Sequence, residues 1–181
     1  MSEQMDLFDL YERGTTWTKS KIEGATDKLD AQSACDEWNV RDVMNHIIDG
    51  TRIFAEGAKT GQVGGPPAGK PPEVIAGDPA KQWEEGRQKV MAAFKEPGAM
   101  DKGQFLFGIA FVDSLIHGWD IAKGTGQDTT MPDDLAQAGF QMLDGKLDPK
   151  GSGHAFKPAV NVPDDARAQD KLLALTGREP S

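Results

Sequence analysis

Residues 103–123, GQFLFGIAFVDSLIHGWDIAK, constrain the fold of this chain more than any other stretch. Apolar side chains fall on nearly every side of a helical projection of this segment. A helix there has no wet face and belongs at the centre of a bundle. Gly124 is placed to cap its end. The other segments offer partners at helical period. Leu7, Leu10, Tyr11, Trp17 and Ile22 mark a first helix from Met5 to about Lys28. Asn39 is a good N-cap with Asp42 at the position of a capping acid, and Val40, Val43, Ile47 and Phe54 form the stripe of a second helix that stops between Gly57 and Gly61. Asp78-Pro79 reads as the cap and first-turn proline of a third, which carries Trp83, Val90 and Phe94 and ends at Pro97-Gly98.

Beyond the central segment, Leu135, Phe140 and Leu143 mark a fifth helix from about Pro132 to Leu147. AFKPAVNVP is expected to lie extended on the body, and a last short helix opens at Pro163 and closes at Gly177. No alternating strand pattern and no internal repeat stands out. The expectation is one all-α domain over residues 1–181: a bundle of four main helices with extra short helices and a C-terminal extended segment. Residues 61–78, GQVGGPPAGKPPEVIAGD, hold too much Gly and Pro for a regular helix or a central strand, and a loop of that length suits a lid or a mobile connection.

Charge narrows the partners. Lys and Arg number 20 against 29 Asp and Glu, a net charge of −9, which repels nucleic-acid phosphates and anionic membranes. Cys35 is the single cysteine, so no intrachain disulfide forms, as suits a reducing compartment. The opening MSEQMDLFDL lacks the basic and apolar regions of a signal peptide, and no stretch is read as a membrane span. A soluble, cytoplasmic protein is expected.

Asp113, His117 and Asp120 interrupt the central apolar segment, and they carry the functional signal. Asp113 and His117 are four apart, hence one turn apart on one face of the helix. A carboxylate and an imidazole at this spacing can chelate one metal ion. Asp113 has Phe111, Val112, Leu115 and Ile116 around it in sequence, and an ionised carboxylate among such neighbours needs compensation. A divalent cation would supply it; so would a basic residue of another helix, such as Arg52. Asp120, three residues after His117, is placed to ligate as well or to accept the free ring N–H of a ligating histidine. Trp119 can border the same pocket. His46 lies beside the stripe of the second helix, with Gly50 leaving room near it; a buried histidine bonded to a backbone carbonyl is the plainer alternative. His154, in GSGHAF, is read as exposed and without a role.

CDEW and VRDVMNHI (residues 35–47), FVDSLIHGWDIAKGTGQ (111–127) and FKPAVNVPDDARAQDKLLALTGREP (156–180) together carry a family resemblance. The chain resembles the DinB-like helical-bundle metalloproteins, in the branch close to the N-terminal domain of mycothiol-dependent maleylpyruvate isomerase. The resemblance implies a DinB-like four-helix bundle and a metal site formed by His46, Asp113 and His117. Aspartate stands at residue 113 where that isomerase has glutamate, one methylene longer. The isomerase also carries a C-terminal domain for which the residues after LLALTGREP leave no room, so its own reaction is not expected. Two imidazoles and a carboxylate suit Zn²⁺ with one position open, and also Fe²⁺ or Ni²⁺. Because relatives use low-molecular-weight thiols, the expected activity is that of a metal-dependent thiol transferase or isomerase. The expected partners are a small-molecule substrate or thiol, with pairing into a homodimer. The alternatives are a non-enzymatic metal-stabilised or metal-sensing bundle with a stress-response role, and a metal-free dimeric scaffold in which Asp113 and His117 are salt-bridged.

Overall fold

The computed structural model describes residues 6–35, 37–64, 69–147 and 156–180, and among these it is all-helical. The elements are α1 (Leu7–Glu23), α2 (Val40–Gly57), α3 (Pro79–Lys95), α4 (Ala99–Thr125), α5 (Asp133–Leu143) and α6 (Ala168–Leu175). Local chemistry accounts for the starts. Asp6 caps α1 by accepting from the amides of Phe8 and Asp9. Asn39 and Asp42 form the full capping box of α2, each side chain accepting from the other's backbone amide. Asp78 caps α3, with Pro79 in its first turn.

The four long helices close a ring in which α4 packs on α1 and α2, and α3 packs on both of those. α5 and α6 pair with each other, and α5 leans on the outer side of α4. Small residues set the α1–α4 distance. A Cβ on Gly118 would sit 2.7 Å from Thr18 Oγ1, and one on Gly14 would sit 2.8 Å from the Phe111 ring. The Thr18 hydroxyl donates across this seam to the Ser114 carbonyl at 2.8 Å. α4 reaches the length and mean hydropathy (1.4) that would let a helix cross a membrane, contrary to the sequence reading, but 83% of that window is buried inside the bundle. Most of its apolar surface is already covered by protein, with Phe105 the exposed exception.

Two details of α4 differ from expectation. The helix begins at Ala99, and Gly103, expected to start it, is a kink with φ −120° and ψ 15°. The left-handed cap is Gly126, not Gly124. Gly124 lies inside the helix, where a Cβ would approach the Gln32 carbonyl to 2.6 Å. The α5 and α6 spans are shorter than expected, since residues 144–146 and 164–166 are turns.

The described part of the 61–78 loop is strapped down. Asn45 Oδ1 accepts from the amides of Val74 and Ile75 at 2.9 and 3.1 Å, while Gln82 Nε2 donates to the Val74 carbonyl at 2.9 Å. Val74 and Ile75 pack against a core cluster that includes Val43, Ile47 and Trp83. Residues 65–68 lie outside the described residues.

Candidate metal centre

α4 brings Asp113 and His117 to one face, and that face meets α2 at His46. His117 Nε2 lies 3.3 Å from Asp113 Oδ1, and His46 Nε2 lies 3.8 Å from the same oxygen. The two imidazoles meet edge-on with centroids 4.7 Å apart. One ligand atom from each of the three residues falls within 4.8 Å of the others. His117 is fully buried, whereas the His46 and Asp113 side chains keep 20% and 16% of their surface, so the cluster is open on one side. Trp38 packs against the His46 ring at 5.1 Å, and Phe156 lies nearly parallel to the His117 ring at 6.2 Å.

His117 Nε2 is buried and has no hydrogen-bond partner among the described residues. Asp113 Oδ1 is near enough in distance, but the geometry between them is not that of a hydrogen bond. A buried ring nitrogen left in this way costs about 1–3 kcal/mol. The other nitrogen of the same ring is fully used. His117 Nδ1 sits 2.9 Å from Asp120 Oδ2, and Asp120 is gripped by Arg178, whose Nε and Nη2 donate to its two oxygens at 2.8 and 2.7 Å. Arg178 Nη1 donates to the Thr176 carbonyl at 3.1 Å.

The electrostatics follow from this arrangement. Burial alone would raise the Asp113 carboxyl, but the charge and hydrogen-bonding capacity of His117, helped by His46, hold it well below the usual carboxylate range. Burial alone would lower the His117 imidazole; the carboxylates of Asp113 and Asp120 outweigh it and lift it to about 9. Burial acts upward on Asp120 too, and the Arg178 guanidinium outweighs it, holding this carboxyl below its ordinary value. The carboxylates around His117 therefore favour positive charge at this ring, which a proton or a metal ion can supply.

A zinc ion with bonds of about 2.0–2.1 Å sets two tetrahedral ligand atoms about 3.3–3.5 Å apart. The 3.3 Å separation meets that value and the 3.8 Å separation is slightly open. The donor set and the unsatisfied Nε2 thus fit a divalent ion. A second grouping, Cys35 with His117 and Asp120, also lies within 4.8 Å. It fits poorly: both Asp120 oxygens are taken by a guanidinium, and burial pushes the Cys35 thiol up to about 12.

The remaining sequence candidates fall into place around this centre. Arg52, offered as a rival partner for Asp113, is exposed and pairs with Asp49 at 3.0 Å and Glu56 at 3.4 Å. Trp119 is buried and lines a cavity of about 710 Å³ with Cys35, Lys123 and Arg178, a cavity to which none of His46, Asp113 and His117 contributes. His154 lies outside the described residues. Sequence reasoning gave no role at the site to Arg178, Trp38 or Phe156. Asp120 carried the signal for the first of these, since an acid on a helix that is apolar all round calls for a cation.

The chain is 28% identical over 159 residues to the uncharacterized protein Rv0738 of Mycobacterium tuberculosis strain H37Rv, an alignment that spans 84% of this chain and 86% of that protein. The same figures hold for the uncharacterized protein MT0763 of Mycobacterium tuberculosis strain CDC 1551. No family model and no solved structure matches the chain.

Proposed function

We propose that this protein is a DinB-like metal-binding bundle in which His46, Asp113 and His117 hold one divalent ion, with zinc the best match, and that it acts as a metal-dependent transferase or isomerase on a thiol-bearing small molecule. Iron(II) and nickel accept the same donor types. The observation that carries the reading is His117 Nε2, a buried ring nitrogen with no hydrogen-bond partner among the described residues, set beside a carboxylate and a second imidazole. Support for the bundle type comes from four long helices in a ring, with ligands drawn from α2 and from residues four apart on α4.

When bound, the ion would supply a Lewis-acid position that lowers the pKa of a water or thiol placed there. The chain's own groups decide what that position accepts. Asp120 and Arg178 cancel each other's charge, which leaves Asp113 as the one uncompensated anion at the centre among the described residues. A divalent cation with one carboxylate keeps one positive charge, so an anionic fourth ligand such as a thiolate or hydroxide is favoured over a neutral one. The partial exposure of His46 and Asp113 gives such a ligand a side of approach, and Trp38 and Phe156 give it apolar walls.

Metal analysis of the purified protein tests this. One equivalent of metal in the wild type, lost in His117→Ala with the helical circular dichroism kept, is the expected result. A metal-free wild type, or a His117→Ala variant that keeps its metal, would overturn it.

A further inference from the structure

The imidazole at the centre of the cluster is held from behind by a chain of contacts that begins at the far end of the sequence. Arg178 follows α6, and the turn that delivers it is a Schellman cap. The Arg178 amide donates to the Leu173 carbonyl and the Gly177 amide to the Ala174 carbonyl, both at 3.1 Å, with Gly177 left-handed at φ 83°. A Cβ on Gly177 would lie 2.5 Å from Lys157 Cβ and 2.8 Å from the Pro158 carbonyl, so the cap is also pinned against the segment that runs beside it. That segment is tied to the same helix end, with the Lys157 amide donating to the Thr176 carbonyl and the Val160 amide to the Ala174 carbonyl at 3.1 and 2.9 Å.

From this cap the Arg178 side chain turns inward, is 7% exposed, and meets both oxygens of the fully buried Asp120. The two parallel N–H···O bonds fix the carboxylate plane, as a lysine ammonium cannot. Asp120 Oδ2 then faces His117 Nδ1 at 2.9 Å. An ionised carboxylate can only accept, so it requires a proton on Nδ1, and in the neutral ring that a metal needs the lone pair then lies on Nε2, at the ligand position.

We propose that Arg178 is a positioning residue for the metal centre: through its forked grip on Asp120 it sets the tautomer and rotation of His117, so that the C-terminal segment governs metal affinity without touching the ion. This rests on the metal reading above. Outer partners of metal-bound histidines typically contribute about 10- to 100-fold in affinity, and Arg178 acts one residue further out, through the carboxylate.

The test compares wild type, Arg178→Lys and Arg178→Gln, using Zn²⁺ competition against a chromophoric chelator and the visible spectrum of the Co²⁺-substituted protein. Helical content of each variant is read by circular dichroism at the same temperature. The expected result is roughly a tenfold or greater loss of Zn²⁺ affinity in both variants with helical content kept, a changed Co²⁺ spectrum, and no rescue by lysine although its charge is the same. Equal affinity and an unchanged spectrum in the folded variants would overturn the proposal and leave the metal site standing. A loss of affinity only in proportion to lost helix would assign Arg178 a purely structural role and also overturn it. A wild type that binds neither ion overturns the metal reading itself, and this proposal with it.

Discussion

The two nitrogens of the His117 ring face opposite kinds of surroundings. On the Nδ1 side, Asp120 and Arg178 form a closed unit in which both carboxylate oxygens and all three guanidinium nitrogens have partners. On the Nε2 side, Asp113 and His46 come close without completing a hydrogen bond to the ring, and both remain partly open to solvent. Protein interiors seldom leave a buried polar atom without a partner. The contrast separates a finished support from an unfinished set of donors, and the unfinished side is where the proposed ion would sit.

The largest expected effect comes from breaking the closed side. Asp120→Ala leaves the Arg178 guanidinium buried without its anion, and an orphaned buried charge of this kind costs about 3–5 kcal/mol. Urea unfolding of the metal-free protein measures it. Removing both charges in Asp120→Leu/Arg178→Met should recover most of that loss, because apolar replacement of a buried pair is often neutral. Metal affinity should stay depressed in the double variant, since nothing then orients His117.

The open side should behave in the reverse way. At pH values above about 9, where the metal-free His117 is neutral, Asp113→Asn should change stability by no more than about 1 kcal/mol. The same change should remove most of the rise in melting temperature that Zn²⁺ gives the wild type, a ligand effect that follows mass action. Scanning calorimetry with a chelator and with Zn²⁺ separates the two. A severe loss of stability in chelator at that pH, where no imidazolium is present, would instead make Asp113 a structural residue.

A smaller effect sharpens the comparison through pH. His117 is lifted from its ordinary 6.5 to about 9 in the metal-free fold. A group raised on folding stabilises fully below its unfolded pKa, and the contribution fades as pH rises through the folded value. Metal-free protein should therefore lose stability between about pH 6.5 and 9, and Asp113→Asn should flatten that slope. Denaturant midpoints across this window in chelator check the sign. The smallest effect belongs to Arg52→Ala, which should leave Zn²⁺ affinity unchanged because Arg52 pairs with Asp49 and Glu56 rather than with Asp113.

Much of the fold was legible from local signals. The capping box at Asn39 and Asp42 and the Asp78-Pro79 start name the ends of α2 and α3 because the responsible atoms are neighbours in the chain. The ends of α4 were misplaced for a nonlocal reason. Gly103 is kinked within a helix that started earlier, and Gly124 serves the close approach of the 32–33 turn rather than capping. The i,i+4 spacing of Asp113 and His117 placed them together, and the apolar surroundings of Asp113 flagged it as needing a partner. The i,i+3 spacing offered Asp120 as the acceptor for one His117 nitrogen, but what holds that carboxylate in place was not legible. The holder is Arg178, far along the chain from Asp120, and a sequence with 20 basic residues does not say which of them a buried acid will meet.

The claim that the open side is a metal site is tested most directly by a crystal structure with anomalous diffraction recorded at the zinc edge. A single peak about 2.0–2.2 Å from His46 Nε2, Asp113 Oδ1 and His117 Nε2, with a fourth position not filled by protein, is the predicted result. A zinc-soaked crystal with no peak there, and with His117 Nε2 hydrogen-bonded to a neighbouring side chain instead, would contradict it.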